Sequence, residues 1–330
     1  MSAKTAVAAP SGTGPTTPPR RRPAITADWV RRNGVYLALV ALVVLNVVIT
    51  PHFVTTSNLR LQLIQTAPTL IVALGMAMVI GTGGIDLSVG SVMALAAAVM
   101  PLYLGYGTLA GIAVGMLCGA ISGLLVGTLV SRVGLQPIVA TLAILVGGRG
   151  LANVIGGQIK NLNDPGLRTL GLGSVAGIPY TVVVAALMLL AVGFIVRRTT
   201  FGRAMQAIGG NRRAATLAGL PVNRVLVATY VTAGVLAAIA GILVAARSQA
   251  SDPRMLGLLM ELNAIAAVVI GGTPLTGGRI RVVGTLAGAL LMQLITSTLV
   301  AHNIADSIAQ MTQAVVIVGA VYIQLGRKTS

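Results

Sequence analysis

The stretch Gly83-Gly84-Ile85-Asp86-Leu87-Ser88-Val89-Gly90 sets a carboxylate and a hydroxyl at a glycine break between two long apolar runs. A charge at the edge of hydrocarbon is costly unless it is solvated or paired. One reading is a plain turn in which Asp86 or Ser88 caps the helix that follows, as these residue types commonly do. The other is a structural glycine break made of Gly84, Asp86, Ser88 and Gly90, held by capping or by an arginine such as Arg132 or Arg279. The chain carries only 6 Asp and Glu residues in 330, which favours the second.

Two further groups of residues could do chemistry. Arg197 to Arg224, RRTTFGRAMQAIGGNRRAATLAGLPVNR, is the longest charged interruption of the apolar sequence. Ala204–Ile208 and Arg213–Ala218 have helix-forming composition, Gly209-Gly210 separates them, and Asn211 is placed to cap the second piece. Such a segment either docks into a partner or is a solvated basic loop that fixes topology. The other group is a set of amides and a hydroxyl inside apolar runs: Gln62, Gln65, Thr66, Asn153, Asn263 and Gln293. Donors and acceptors at membrane depth can bond a hydrophilic solute on its way across, so these six form a candidate path. Each could equally be a hydrogen bond between helices. With 3 Phe, 6 Tyr and 1 Trp, an aromatic stacking site for such a solute is not expected within the membrane.

These residues need a membrane scaffold to position them, and the composition supplies one. Hydrophobic residues make up 55% of the chain, charged residues 9%, and mean hydropathy is +0.92. A soluble domain would have about a quarter of its residues charged. The 41 glycines suit helices that pack backbone to backbone, as in Gly111–Gly115 and Gly119–Gly123. The single cysteine, Cys118, excludes an internal disulfide, and no Cys or His cluster suggests a metal. His52 and His302 fall beside span ends.

Hydropathy gives an all-α integral membrane chain with ten spans near 34–50, 61–82, 87–105, 108–130, 137–156, 178–196, 225–246, 259–273, 282–300 and 310–326. The spans at 259–273 and 310–326 are short enough to be broken or incomplete. Residues 1–33 read as a disordered basic cytosolic tail, 34–326 as the membrane domain with its charged segment at 197–224, and 327–330 as a cytosolic C-terminus. Ten spans starting inside put 17 of the 23 Lys and Arg residues on one side, so both termini are expected in the cytoplasm. Asp164, Asp252, Glu261 and Asp306 then fall at or near the outer surface. The net charge of +17 is thus a topology signal rather than a nucleic-acid surface. AMVIGTGGIDLSVG from Ala77 and AVVIGGTPLTGGRIRVVG from Ala267 form a weak internal repeat of the kind transporters build on.

GMAMVIGTGGIDLSVGSVMAL, FGRAMQAIGGNRRAATLAGLPVNRV and ELNAIAAVVIGGTPLTGGRIRVVGTLAGALL together resemble the three signature regions of ribose/galactose/xylose-type sugar ABC importer permeases. The stretch from Gly147-Gly148-Arg149-Gly150 to Gly157-Gln158-Ile159 is most similar to the galactofuranose-type members. The resemblance implies a ten-helix type II importer fold in a bacterial inner membrane and a chain with no enzymatic chemistry. It implies three partners: a second permease (identical or sister), a cytosolic ATPase holding ATP and Mg, and an extracytoplasmic sugar-binding protein. It also implies coupling to that ATPase through Arg203, Gly209, Gly210, Asn211, Arg212, Arg213, Ala215 and Gly219. No cofactor or metal is expected in this chain, and none of Lys4, Lys160 and Lys328 follows a phosphate-binding glycine loop.

Overall fold

The computed structural model describes residues 27–304 together with 307, 308, 311, 312, 314, 315 and 318. The chain divides into two units, 1–34 and 35–330. In hydrocarbon every backbone N–H and C=O must find a partner within the protein, which makes apolar sequence helical. The helices are α1 (Ala27–Ile49), α2 (Thr56–Gly81), α3 (Val89–Val99), α4 (Thr108–Thr128), α5 (Pro137–Gly156), α6 (Pro165–Leu172), α7 (Tyr180–Arg198), α8 (Thr200–Gly210), α9 (Arg212–Leu217), α10 (Val222–Ser248), α11 (Met260–Ile270) and α12 (Val282–Ala301). A 3-10 turn, Met100–Tyr106, extends α3, and a π-helical turn, Leu129–Val133, ends α4. Two antiparallel strand pairs, Lys160–Asn161 with Ala250–Ser251 and Ser174–Val175 with Ile178–Pro179, tie loops together.

The first nine expected spans each coincide with a helix: α1, α2, α3, α4, α5, α7, α10, α11 and α12. Seven of these are long and apolar enough to cross a membrane. The other two, at Asn33–Ile49 and Met260–Ile270, are shorter apolar helices. The tenth, 310–326, lies largely outside the described residues, as do the tail to residue 26 and 327–330. Helix α6 and the strand pairs have no counterpart in the hydropathy reading, because each is too short and too polar to register.

α10 is the axis of the bundle. It packs on α2, α3, α4, α6 and α8. Its residues from Val225 to Ala246 include Tyr230, Ala237, Ala240 and Ala245, all with no exposed surface. α4 meets it through small residues: a Cβ on Gly119 would overlap the carbonyl oxygen of Gly234, and one on Gly234 would overlap that of Gly119. The glycine-rich runs in α4 are therefore packing surfaces, as the sequence suggested. α1 is joined to α12 by a polar clasp in which buried Asn46 accepts from Thr50 at 3.0 Å and from Thr298 at 2.8 Å. α5 and α7 carry Val146, Val154, Leu190 and Phe194 on exposed faces suited to lipid.

The short α11 has a structural cause. The Ser251 hydroxyl bonds to the Ala97 carbonyl at 2.7 Å, so α3 and the chain after α10 are level there. The chain then turns back inward. A Cβ on Gly90 would overlap the Gly257 carbonyl oxygen and stand 2.5 Å from Glu261 Oε2. From Ala97 to Gly90 is about 10 Å along α3, at about 1.5 Å per residue. Residues 252–259 thus form a re-entrant loop, and α11 begins inside the bundle. Its 11 residues span about 16 Å, roughly half of a bilayer core. Glu261 is therefore not near the outer surface as charge bookkeeping suggested; it lies half-buried beside Gly90.

Because α4 and α10 touch backbone to backbone, Gly119→Val should destabilise the detergent-solubilised protein by about 1–3 kcal/mol and visibly lower its melting temperature. Gly147→Ala, with no atom within 4 Å of the new methyl, should leave that temperature unchanged. Equal melting temperatures for the two variants would contradict this packing.

Candidate functional site

Both glycine breaks are built in the same way. At the end of α2 the Gly83 N–H donates to Ile80 at 2.9 Å and the Gly84 N–H to Val79 at 3.2 Å. At the end of α11 the Gly272 N–H donates to Val269 at 2.9 Å and that of Thr273 to Val268 at 3.2 Å. Gly83 and Gly272 have φ of 83° and 86°, a region glycine enters without steric cost. The internal repeat is therefore real at the level of helix termination. Its register differs from the residue match by one position: Gly83 corresponds to Gly272, whereas counting from Ala77 and Ala267 pairs it with Thr273. The second break is also longer, and its extra residues include Gly277 and Gly278.

Those extra residues bring the two breaks together. The Gly278 N–H donates to the Gly81 carbonyl at 3.0 Å. Gly209, near the end of α8, seals the same point. A Cβ on it would overlap the Gly81 oxygen and stand 2.6 Å from the Gly278 nitrogen. A Cβ on Gly277 would lie 2.8 Å from the Gly83 nitrogen and 3.0 Å from the Gly209 oxygen. Three glycine pairs distant in sequence (81/83, 209/210 and 277/278) thus meet at one junction.

The charged segment is ordered around this junction. α8 begins with Thr199, whose hydroxyl accepts from the Gly202 N–H at 3.1 Å, and Asn211 caps α9 by accepting from Ala214 at 3.0 Å. The expected Asn211 cap is present. Gly209 and Gly210 do not separate the two helices; they form the last turn of α8, and the bend falls at Asn211. One side of α8 is buried at Gly202, Met205 and Ile208, while Arg203, Ala207 and Gly210 are exposed. On α9, Ala215 is buried and Arg212 and Arg213 are exposed; Gly219, with φ of 78°, turns the chain toward α10.

Asp86 is 2% exposed. Its Oδ1 accepts from the Ser88 N–H at 2.9 Å and from the Ser88 hydroxyl at 2.6 Å. Burial pushes its carboxyl above the usual value, and the two Ser88 bonds pull it back. Asp86 thus closes an Asx turn onto Ser88, the residue before α3, rather than capping the helix, and Ser88 makes no side-chain cap among the described residues. No arginine partner for Asp86, whether Arg132 or Arg279, is found among the described residues. Tyr230 stands at the same break: its buried hydroxyl has no hydrogen-bond partner among the described residues and would lie 2.6 Å from a Cβ on Gly84. Tyr230, Gly83, Gly84, Gly210, Asn211 and Arg212 all line a cavity of about 310 Å³ beside the junction.

The path candidates are brought together in part. Gln293 Nε2 donates to Gln65 Oε1 at 2.6 Å, and the Thr66 hydroxyl donates to the Gln62 carbonyl at 2.8 Å, while Gln62 Oε1 is buried without a partner among the described residues. One turn further along α2, Thr69 reaches the Sδ of Met260 at 3.7 Å, which sets this cluster next to the start of α11. Asn263 is half-buried on α11 itself. Asn153 stands apart on α5, and its Oδ1 is buried without a partner among the described residues. Sequence reasoning named Arg149 within the Gly147–Gly150 stretch but gave it no role; its Nη1 donates to the carbonyls of Pro253 at 3.2 Å and Leu256 at 2.6 Å, holding the re-entrant loop. A lone cation within an apolar helix was the available signal.

If Asp86 works through its Ser88 bonds, Asp86→Ala strands a buried donor, at a cost of about 1–3 kcal/mol. Uptake into reconstituted vesicles should then fall more than assembly of the complex does. Asp86→Asn keeps an acceptor oxygen of the same shape and should recover most of that uptake. An Asn variant as impaired as the Ala variant would show that the charge, rather than the geometry, is required.

No solved structure matches the chain. Among curated proteins it is 37% identical over 94% of its length, and 94% of the relative's, to the galactofuranose transporter permease YtfT of Escherichia coli K12. It is 36% identical to the ribose import permease RbsC of the same organism, over 90% of this chain and 95% of that one. With the fructose import permease FruF of Bifidobacterium longum it shares 37% identity over 77% of its length and 73% of the relative's. The family model described as the branched-chain amino acid transport system / permease component matches residues 58–321. A match from α2 through α12, over a multi-span helical bundle, makes the chain a member of this family of ABC transporter permeases.

Proposed function

We propose that this chain is the membrane permease of an ATP-driven importer for a monosaccharide, a pentose or hexose in pyranose or furanose form. The carrying observation is that relatives named for galactofuranose and ribose are similar over 90% or more of the chain. The bundle supports it with polar groups near the start of a half-helix and a structured basic segment keyed to both breaks. In this reading the junction end faces the cytoplasm of a bacterial inner membrane, where positive residues concentrate. A cytosolic ATPase grips the open faces of α8 and α9. A second permease, identical or sister, completes the pathway, and an extracytoplasmic protein delivers the sugar. Closure of the ATPase on nucleotide moves the segment, and the permease halves alternate between outward and inward openings.

A second reading has a specific observation behind it: the family description names branched-chain amino acids. A zwitterion could use the N-terminal dipole of α11. Vesicles holding the assembled complex and its binding protein separate the two. ATP-dependent accumulation of radiolabelled pentose or hexose without leucine is expected, and leucine uptake without sugar uptake would overturn the sugar assignment. Charge reversal at Arg212 and Arg213 should reduce co-purification of the ATPase. Undiminished recovery would place the contact elsewhere.

A further inference from the structure

We infer that Gly209 is the positioning residue through which one movement of the basic segment reaches both halves of the internal repeat at once. This rests on the coupling role proposed above and adds where the stroke is delivered. α8 is attached to the bundle at two points by glycines. At Gly202 a Cβ would overlap the carbonyls of Ile195 and Val196, so α8 lies directly against the last turn of α7. At Gly209 the backbone fills the gap between the Gly81 carbonyl and the Gly278 amide, which are themselves bonded at 3.0 Å. Contact between backbones has no flexible side chain to absorb a displacement, and close-packed interiors transmit strain.

What Gly209 touches gives the junction its reach. Gly81 is the last residue of α2, and the loop after it leads to Asp86 and α3. Gly278 lies in the loop between α11 and α12, which is also held where the Arg281 N–H donates to the Thr273 hydroxyl at 3.0 Å. Both hairpins of the repeat, α2/α3 and α11/α12, therefore end on the same contact, and α8 closes it from outside. The junction moves as one body: the Gly81–Gly278 bond stays closed while the hairpins pivot around it. On the opposite side of α8, Arg203 and Ala207 remain open to a partner.

The experiment uses the full complex of the chain with its ATPase and binding protein. Gly209→Ala should keep ATPase co-purification and ATP hydrolysis but lower sugar taken up per ATP by about tenfold, the population shift expected when overpacking strain biases a two-state element. Gly193→Ala on α7, where the new methyl would meet only Val282 at an ordinary 3.8 Å, should stay within about twofold of the parent in both measures. Hydrogen exchange on the unaltered complex provides the second readout: the peptide containing Gly278 should be equally protected without nucleotide and with ATP trapped. Uptake per ATP in Gly209→Ala equal to the parent's, or loss of Gly278 protection in one nucleotide state, overturns the inference. Should Gly209→Ala fail to assemble, the exchange result decides alone. A parent chain that captures no ATPase defeats the proposed function instead, a different outcome from a complex that transports but shows an opening junction.

Discussion

Backbone groups at membrane depth have no water to fall back on, and the irregular parts of this protein are organised around that constraint. A continuous helix satisfies it automatically. Each place where the chain departs from helix therefore requires a named substitute. At the two breaks the substitute is a left-handed glycine that turns the next amides back onto the helix just ended. At the re-entrant loop it is Arg149, which crosses from α5 to take the carbonyls of Pro253 and Leu256. At the start of α3 it is Asp86, whose carboxylate takes the Ser88 amide.

The same constraint explains why small residues appear where they do. Once a break has been closed on itself, it can approach another only if neither presents a Cβ. Gly81, Gly209 and Gly278 meet this condition together, and Gly90 with Gly257 meets it inside the bundle. Close approach then serves two ends. It excludes lipid from the irregular backbone, and it leaves no flexible side chain between distant segments.

Most of the fold was legible as hydropathy. Apart from α1, which starts seven residues earlier than expected, the described spans, with the 3-10 turn counted in α3, begin and end within five residues of where apolar runs and punctuation put them, and the Asn211 cap followed from residue type alone. The depth of α11 was not legible, because an apolar run of its length reads alike whether it starts at the surface or after a loop that has folded back in. Glu261 was misplaced for that reason: nothing local records that residues 252–259 return toward Gly90. The break motif was visible, but its partner was not. Arginines were the natural candidates for Asp86 by charge, whereas the structure meets its bonding through Ser88 two residues away. Tyr230 went unnoticed because a single aromatic in a long apolar helix looks like core, and only tertiary packing brings its hydroxyl to the break.

The charges inside the bundle bear on the mode of energy supply. A carrier driven by protons or sodium needs a carboxylate free to change partners as the pathway opens. Arg149 is committed to two carbonyls of the re-entrant loop, and Asp86 is committed to Ser88, so both are built into the scaffold. Glu261 is half-buried at the start of the half-helix α11, and its Oε2 is buried with no hydrogen-bond partner among the described residues. Under the proposed function, Asp86 and Arg149 serve the scaffold, and the energy enters from the ATPase through the structured basic segment seated on the glycine junction.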